Sequence, residues 1–118
     1  MLQYFLRAPK FPVIVDFGSY LIGIESRANC SRLLLGAGHP DTPDQFDVID
    51  SNAENFSYHP KMSVISALTI KKRWTKPALV ALYNSRRSRD VPAYEPRSLG
   101  NKRFDQLLID VVRLLNER

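Results

Sequence analysis

The residues best suited to chemistry are the cations of a short basic run that surrounds the single tryptophan. Lys and Arg bind phosphate by displacing condensed counterions, and an exposed tryptophan offers a face on which bases stack. Lys102 and Arg103 carry the same charge further along the chain. The run predicts contact with an anionic partner, nucleic acid being favoured; the alternative is a solvated turn with the tryptophan folded against the core. The predicted binding residues are Lys71, Lys72, Arg73, Trp74, Lys76, Arg86, Arg87 and Arg89.

The net charge of +5 is concentrated in one part of the chain. Residues 1–70 carry five Lys or Arg against seven Asp or Glu, a balance of −2. Residues 71–103 carry ten against two, a balance of +8, and residues 104–118 carry two against three, a balance of −1. Such asymmetry is typical of a protein with an anionic partner, which is either nucleic acid or an acidic protein.

A second candidate for chemistry is the pair of carboxylates Asp16 and Glu25, with Arg27 two residues after the second. This spacing resembles, in part, the pattern of metal-dependent nucleases, in which two carboxylates hold Mg²⁺ and a cation stabilises the phosphate. Arg27 stands where that pattern has a lysine, and an arginine does not give up its proton. A turn aspartate and an edge-strand charge pair are the simpler interpretation, so the nuclease is only an alternative hypothesis.

Other metal-binding residue types are too scattered to form a recognisable site. His39 and His59 each precede a proline, and Cys30 is the single cysteine. The acidic residues between positions 41 and 54 lack the alternation and the glycine of a calcium loop. They predict a solvated acidic loop that can pair with the basic run. We therefore expect no metal, no cofactor and no catalytic residue, which favours a non-enzymatic binding or accessory module.

Length and composition indicate one domain that spans residues 1–118. A single cysteine excludes an intramolecular disulfide and favours a reducing, cytoplasmic compartment. No apolar run approaches the roughly 18 residues that a membrane-spanning helix needs, so no membrane partner is expected.

The stretch 62–83 is the centre of the predicted fold. Residues 62–70 are apolar and rich in β-branched side chains, which predicts a central strand covered on both faces. Residues 71–76 must leave the core, because an unpaired ammonium group is costly to bury. Pro77 suits the first turn of a helix, with Thr75 or Lys76 at the cap. Residues 77–85 are therefore predicted as a helix, with a strand paired back on residues 62–70 as the alternative.

The first half of the chain predicts short strands. Residues 12–26 predict a hairpin, because Asp16 and Gly18 supply turn chemistry between two apolar runs. Gly23 within it indicates a bulge or a close neighbour. Residues 1–7 and 32–35 are each either a strand or a helical turn, whereas 46–50 and 56–58 predict strands. Residues 36–44 predict a loop from their glycines and prolines.

The clearest element is the C-terminal helix, residues 102–117, whose apolar residues recur at 3.6-residue spacing. Residues 85–101, rich in Arg, Ser and Pro, predict a mobile basic loop before it. The apolar stripe must be covered, either by the sheet or by the same helix of a second subunit. The predicted fold is α+β, a small, mostly antiparallel sheet of short strands packed by a C-terminal amphipathic helix. The alternative function is protein interaction or homo-oligomeric assembly through this helix or a sheet edge.

Overall fold

The computed structural model describes residues 2–35, 45–68, 72–87, 93–94 and 102–116, and it confirms an α+β fold. The strands are β1 (Gln3–Phe5), β2 (Val13–Asp16), β3 (Leu21–Ile24), β4 (Phe46–Ile49), β5 (Asn55–His59) and β6 (Val64–Ala67). The helices are α1 (Arg27–Leu35), α2 (Lys76–Arg86) and α3 (Phe104–Asn116).

The strands form one six-stranded sheet in the order β1-β6-β5-β4-β2-β3. Four of the neighbouring pairs are antiparallel, and β1 alone runs parallel to its neighbour, with Gln3 opposite Val64. The sheet is therefore mixed, although the predicted antiparallel character holds for all the other pairs. The exception is the N-terminal strand. It pairs with the edge of β6 and not with β2, the next strand along the chain.

The two faces of the sheet support two apolar layers, as expected because successive side chains of a strand point to opposite faces. One layer joins the sheet to α1, and the other joins the sheet to α2 and α3. The first includes Val13, Val15, Val48, Phe56, Tyr58 and Ile65 with Cys30 and Leu34 of α1. The second includes Ile14, Leu21 and Ile49 with Leu79, Tyr83, Leu107, Leu108, Val111 and Val112.

The predicted hairpin is confirmed as β2 and β3, with Asp16 opposite Leu21. Asp16 Oδ1 accepts a hydrogen bond from the backbone N–H of Gly18 at 2.8 Å, and Gly18 adopts a φ of 91°. Glycine reaches this left-handed region without the steric penalty of a Cβ, so the sequence Asp-Phe-Gly closes the turn.

The central stretch is partly as predicted. Helix α2 begins after Thr75, whose Oγ1 accepts from the N–H of Ala78 at 3.3 Å, and Pro77 lies in its first turn. The helix prediction for residues 77–85 is confirmed and the strand alternative is wrong. Strand β6 lies inside the sheet, but Val64 and Ser66 on one of its faces are only half-buried. The prediction that β6 is covered on both faces is wrong there, because α3 packs on β2 and β3, which lie toward the opposite edge of the sheet.

Both open choices between strand and helical turn are resolved. Residues 32–35 are the last turn of α1, and residues 3–5 form the edge strand β1. Helix α3 begins at Phe104, two residues later than predicted, and packs on β2, β3 and α2. Its apolar face is thus covered within the chain, as the first of the two alternatives required.

Most of the predicted loops lie outside the described residues, namely 36–44, 88–92 and 95–101. Tyr94 is described, and it docks on α2. Its N–H donates to Asn84 Oδ1 at 2.7 Å, Asn84 Nδ2 donates back to its carbonyl oxygen at 3.1 Å, and its ring packs edge-on against Tyr83. None of the helices in the described part of the chain has the length and apolar character needed to cross a membrane.

Candidate nucleic-acid interface

The basic run leaves the sheet as a short extended segment that pairs with the β4–β5 turn. The N–H of Asn55 donates to the carbonyl oxygen of Lys72 at 2.9 Å, and the N–H of Trp74 donates to that of Ala53 at 2.7 Å. These two bonds enclose an isolated antiparallel bridge between Glu54 and Arg73. The backbone of the segment is therefore held by the turn before the charged side chains meet any partner.

Trp74 is half-buried and packs against the layer between the sheet, α2 and α3. Its indole Nε1 donates to Asn55 Oδ1 at 2.9 Å. The ammonium group of Lys72 lies 5.5 Å from the centre of the indole ring, within the range of a cation–π contact. This arrangement is the alternative that the sequence left open, a tryptophan folded against the edge of the core.

Asn55 holds the tryptophan of the candidate site, and the sequence did not single it out. It is 1% exposed, and its Nδ2 donates to Asp47 Oδ1 at 3.2 Å and to the carbonyl oxygen of Phe56 at 3.1 Å. With the indole bond, both ends of the amide are used, as a buried polar group requires. No local pattern distinguishes Asn55 from an ordinary turn asparagine, because its principal partner, Trp74, lies nineteen residues further on.

Five cations lie on the two chain segments that meet at Lys76, at the start of α2, and we call them the basic surface: Lys72, Arg73, Lys76, Lys102 and Arg103. Lys72 and Arg73 are exposed, and neither forms an ion pair with a carboxylate in the described part of the chain. Lys76 Nζ donates to the carbonyl oxygen of Lys102 at 2.9 Å, which joins the two segments. The first turn of α2 contains no acidic residue.

Lys102 and Arg103 each have an acidic neighbour on α3. The ammonium group of Lys102 pairs with Asp110, and this hydrogen bond raises the pKa of Lys102. Arg103 Nε lies 3.4 Å from Asp105 Oδ1, with most of its side chain in solvent. Lys72 and Arg73 are therefore the cations of the basic surface whose charge is least compensated.

The second predicted cluster lies at the other end of α2. Arg86 Nε and Nη2 donate to Oδ1 and Oδ2 of Asp16 at 3.2 and 3.4 Å, and Arg87 is half-buried. Because α2 has 11 residues, its two ends are about 15 Å apart at 1.5 Å per residue. The structure thus separates the predicted set into two clusters, and it pairs Arg86 within the protein. Lys71 and Arg89 lie outside the described residues.

The carboxylates of the nuclease hypothesis are not brought together. Asp16 is level with Leu21 in the hairpin, and Glu25 follows four residues after Leu21, a separation of roughly 13 Å along the strand. Asp16 pairs with Arg86, whereas Glu25 accepts from Asn116 Nδ2 at 3.5 Å. The described residues contain no group of three or more His, Cys, Asp or Glu that could hold a metal ion.

Among the described residues, the acidic stretch contacts the basic run through its backbone. Glu54 faces Arg73 across the bridge, but its carboxylate pairs with Arg7. Asp50 is buried and accepts three backbone N–H bonds, while Asp41 and Asp44 lie outside the described residues. The prediction that acidic side chains neutralise the basic run therefore finds no ion pair among the residues that are described.

The single thiol belongs to the core. Cys30 is fully buried, and burial raises its pKa, so the nucleophilic thiolate is disfavoured. His59 lies half-buried at the end of β5, and His39 is outside the described residues.

Comparison with known proteins finds no family model, no curated protein and no solved structure that matches this chain. The residues and geometry of the basic surface are therefore the basis for inferring function.

Proposed function

We propose that this chain is a small non-enzymatic binding module that contacts an anionic partner, nucleic acid, through the basic surface. One observation supports the proposal most directly. Lys72 and Arg73 are exposed cations with no carboxylate partner among the described residues, and they stand on a backbone segment that is hydrogen-bonded to the β4–β5 turn. Charged groups left uncompensated on a rigid support are suited to a ligand that brings the opposite charge.

The expected affinity is electrostatic and therefore depends on salt. A protein that neutralises Z phosphates of duplex DNA loses affinity with a logarithmic slope of about −0.9Z. If all five cations of the basic surface take part, affinity should fall by about 10²–10³-fold between 50 and 200 mM salt. Contact by Lys72 and Arg73 alone would give a much shallower dependence, so the slope reports how many of these cations are used.

The test is fluorescence anisotropy of labelled oligonucleotides titrated with the wild type and with a Lys72→Glu, Arg73→Glu double variant. We expect the double variant to lose binding at near-physiological salt. An Arg32→Glu, Arg113→Glu variant is the matched control, because it changes the net charge equally at two exposed positions, one on α1 and one in the last turn of α3. Equal losses in both variants would mean that only overall charge matters, and the proposal would then fail.

A second candidate function, self-assembly, is favoured by an apolar patch at the β1 edge of the sheet. Phe5, Leu6 and Met62 are 62%, 69% and 65% exposed. Phe5 and Met62 line a cavity of about 240 Å³ together with Val64 and His59. Among the described residues, strand β1 pairs on one side only. It carries no charged side chain, although charged side chains commonly protect an edge strand from pairing with another chain. A second copy that pairs its own β1 with this edge would cover the patch.

Light scattering across a range of protein concentrations separates the two candidates. Self-assembly predicts a dimer that is lost in Phe5→Glu and retained in Tyr20→Glu, since Tyr20 is an exposed aromatic residue at the β2–β3 turn. A monomer at every concentration would exclude self-assembly and leave the nucleic-acid proposal unaffected.

A further inference from the structure

We infer that Trp74 positions the basic surface and does not stack on bases, so that the module recognises the phosphate backbone of a double-stranded nucleic acid. This inference rests on the proposed function and adds to it the class of nucleic acid and the role of one residue. It follows from how the indole ring is held, from what the ring fixes, and from where the other aromatic side chains lie.

The indole is already engaged within the protein. Its Nε1 donates to Asn55 Oδ1 at 2.9 Å, its ring packs in the layer with α2 and α3, and Lys72 lies 5.5 Å from its centre. Turning the ring out toward a base would break the hydrogen bond and leave Oδ1 of the 1%-exposed Asn55 without the indole N–H that donates to it. The loss of such a bond is comparable in size with the gain from one stacked base, so the exchange gives no net affinity.

The same contacts fix the cations. Three hydrogen bonds join residues 72–74 to residues 53–55: the indole bond and the two backbone bonds on either side of Arg73. Asn55 is itself held by Asp47 and the Phe56 carbonyl oxygen. Lys72 and Arg73 are therefore presented from a backbone that is ordered before the ligand arrives, which reduces the entropy lost on binding.

The exposed aromatic side chains of the described residues lie on other parts of the fold than the basic surface. The two exposed ones are Phe5, on the edge strand β1, and Tyr20, which stacks on Phe17 at 5.3 Å in the α1 layer. Binding of single strands depends on stacking platforms of this kind. A duplex needs none and presents one negative charge per about 1.7 Å of its axis, so a surface of cations alone favours the duplex.

The experiment compares single-stranded and double-stranded oligonucleotides of equal length, with the emission of Trp74 as a second signal because the chain has one tryptophan. At near-physiological salt we expect the duplex to bind at least tenfold more tightly. At low salt, where single strands also bind, the emission of Trp74 should stay unchanged when they saturate the protein. Single strands that bind as tightly as the duplex and quench the emission would overturn the inference.

Two variants separate positioning from stacking. Trp74→Phe retains an aromatic face but loses the indole N–H, so we expect a several-fold loss of duplex affinity with an unchanged salt slope. A stacking role predicts instead that Trp74→Phe largely retains single-strand affinity and leaves duplex affinity unaltered. Tyr20→Leu, the control, should alter neither. Failure of wild-type protein to bind any oligonucleotide would refute the proposed function itself, whereas binding with a single-strand preference would refute this inference alone.

Discussion

The backbone of Gly23 in β3 lies directly against Val112 of α3. A Cβ added to Gly23 would stand 3.0 Å from Val112 Cγ1, 3.1 Å from its Cα and 3.2 Å from its carbonyl oxygen. These distances are shorter than ordinary van der Waals contacts between carbon atoms. Helix α3 therefore rests on β3 at a point where residue 23 has no side chain, as the sequence suggested when it indicated a close neighbour of this glycine.

Gly23→Ala should destabilise the fold by about 1–3 kcal/mol, because two of the three close atoms belong to the backbone of α3 and cannot rotate away. Urea denaturation of the purified variant measures the effect. In a Val112→Ala background the contact with Cγ1 disappears, yet the contacts with Cα and the carbonyl oxygen persist. Most of the cost should therefore remain in that background, and a neutral Gly23→Ala would show that α3 is not in close contact with β3.

The elements that the sequence predicted are those with local causes. Asp16 and Gly18 close the hairpin, Thr75 and Pro77 start α2, and the apolar spacing of α3 is visible within the helix itself. The position of β1 was not predictable in this way. Its three residues pair with β6, some sixty positions away, and no local feature of residues 3–5 specifies a parallel partner.

The candidate site divides in the same manner. The excess of positive charge between residues 71 and 103 is a property of the sequence, and so are the cations on either side of α2. The bond from Trp74 to Asn55 and the pairing of Arg86 with Asp16 join residues nineteen and seventy positions apart. Such contacts depend on how the elements pack. The hydrogen bond that holds Trp74 and the ion pair that neutralises Arg86 could therefore not be predicted from the sequence.

Asp50 is a buried carboxylate that organises the turn between β4 and β5. Its Oδ1 accepts from the N–H groups of Asn52 and Glu54 at 2.9 Å each, and its Oδ2 accepts from that of Lys10 at 3.0 Å. Asp50→Asn replaces one acceptor oxygen with a donor, so at least one of these N–H groups loses its partner. We expect a loss of about 1–3 kcal/mol in the free energy of unfolding.

Denaturant unfolding of Asp50→Asn should be compared with Glu25→Gln, which removes a carboxylate charge at an exposed position. The control should change stability by less than about 0.5 kcal/mol. Since the turn that Asp50 holds also pairs with Lys72 and Trp74, the variant should weaken the packing around Trp74 and shift its emission. Equal stability of Asp50→Asn and the control would contradict this role of the carboxylate.

The ion pair between Arg86 and Asp16 should contribute to stability more than to ligand binding. Both side chains are partly buried, and both carboxylate oxygens of Asp16 accept from Arg86. We therefore expect a coupling energy toward the upper end of the range for ion pairs near a surface. A double-mutant cycle with Arg86→Gln and Asp16→Asn should give a coupling of about 1 kcal/mol in unfolding free energy.

The same Arg86→Gln variant tests the division of the predicted binding set. We expect it to reduce nucleic-acid affinity far less than Arg73→Gln, the matched single neutralisation on the basic surface. An equal loss of affinity in the two variants would show that Arg86 leaves Asp16 to bind the ligand, and that both ends of α2 belong to one interface.

Stability should fall at high pH because of Tyr4. Burial, together with the neighbouring Cys30 thiol, raises the pKa of Tyr4 to about 12, and Arg27 opposes this with its guanidinium group 4.4 Å from the ring centre. A raised pKa means that the folded state holds the phenolic proton more tightly than the unfolded state, whose tyrosine titrates near 10. The stabilisation is therefore complete below about pH 10 and is lost progressively as the pH rises toward 12.

Denaturant midpoints measured at intervals between about pH 9 and 12, with tyrosinate absorbance recorded in parallel, check the prediction. Tyr4→Phe has no ionisable group at this position and should lose less stability over the interval than the wild type. Arg27→Gln removes the neighbouring cation that lowers the pKa of Tyr4, so ionisation of Tyr4 should move to still higher pH. If the wild type and Tyr4→Phe lose the same stability between about pH 10 and 12, the Tyr4 hydroxyl is not the group responsible.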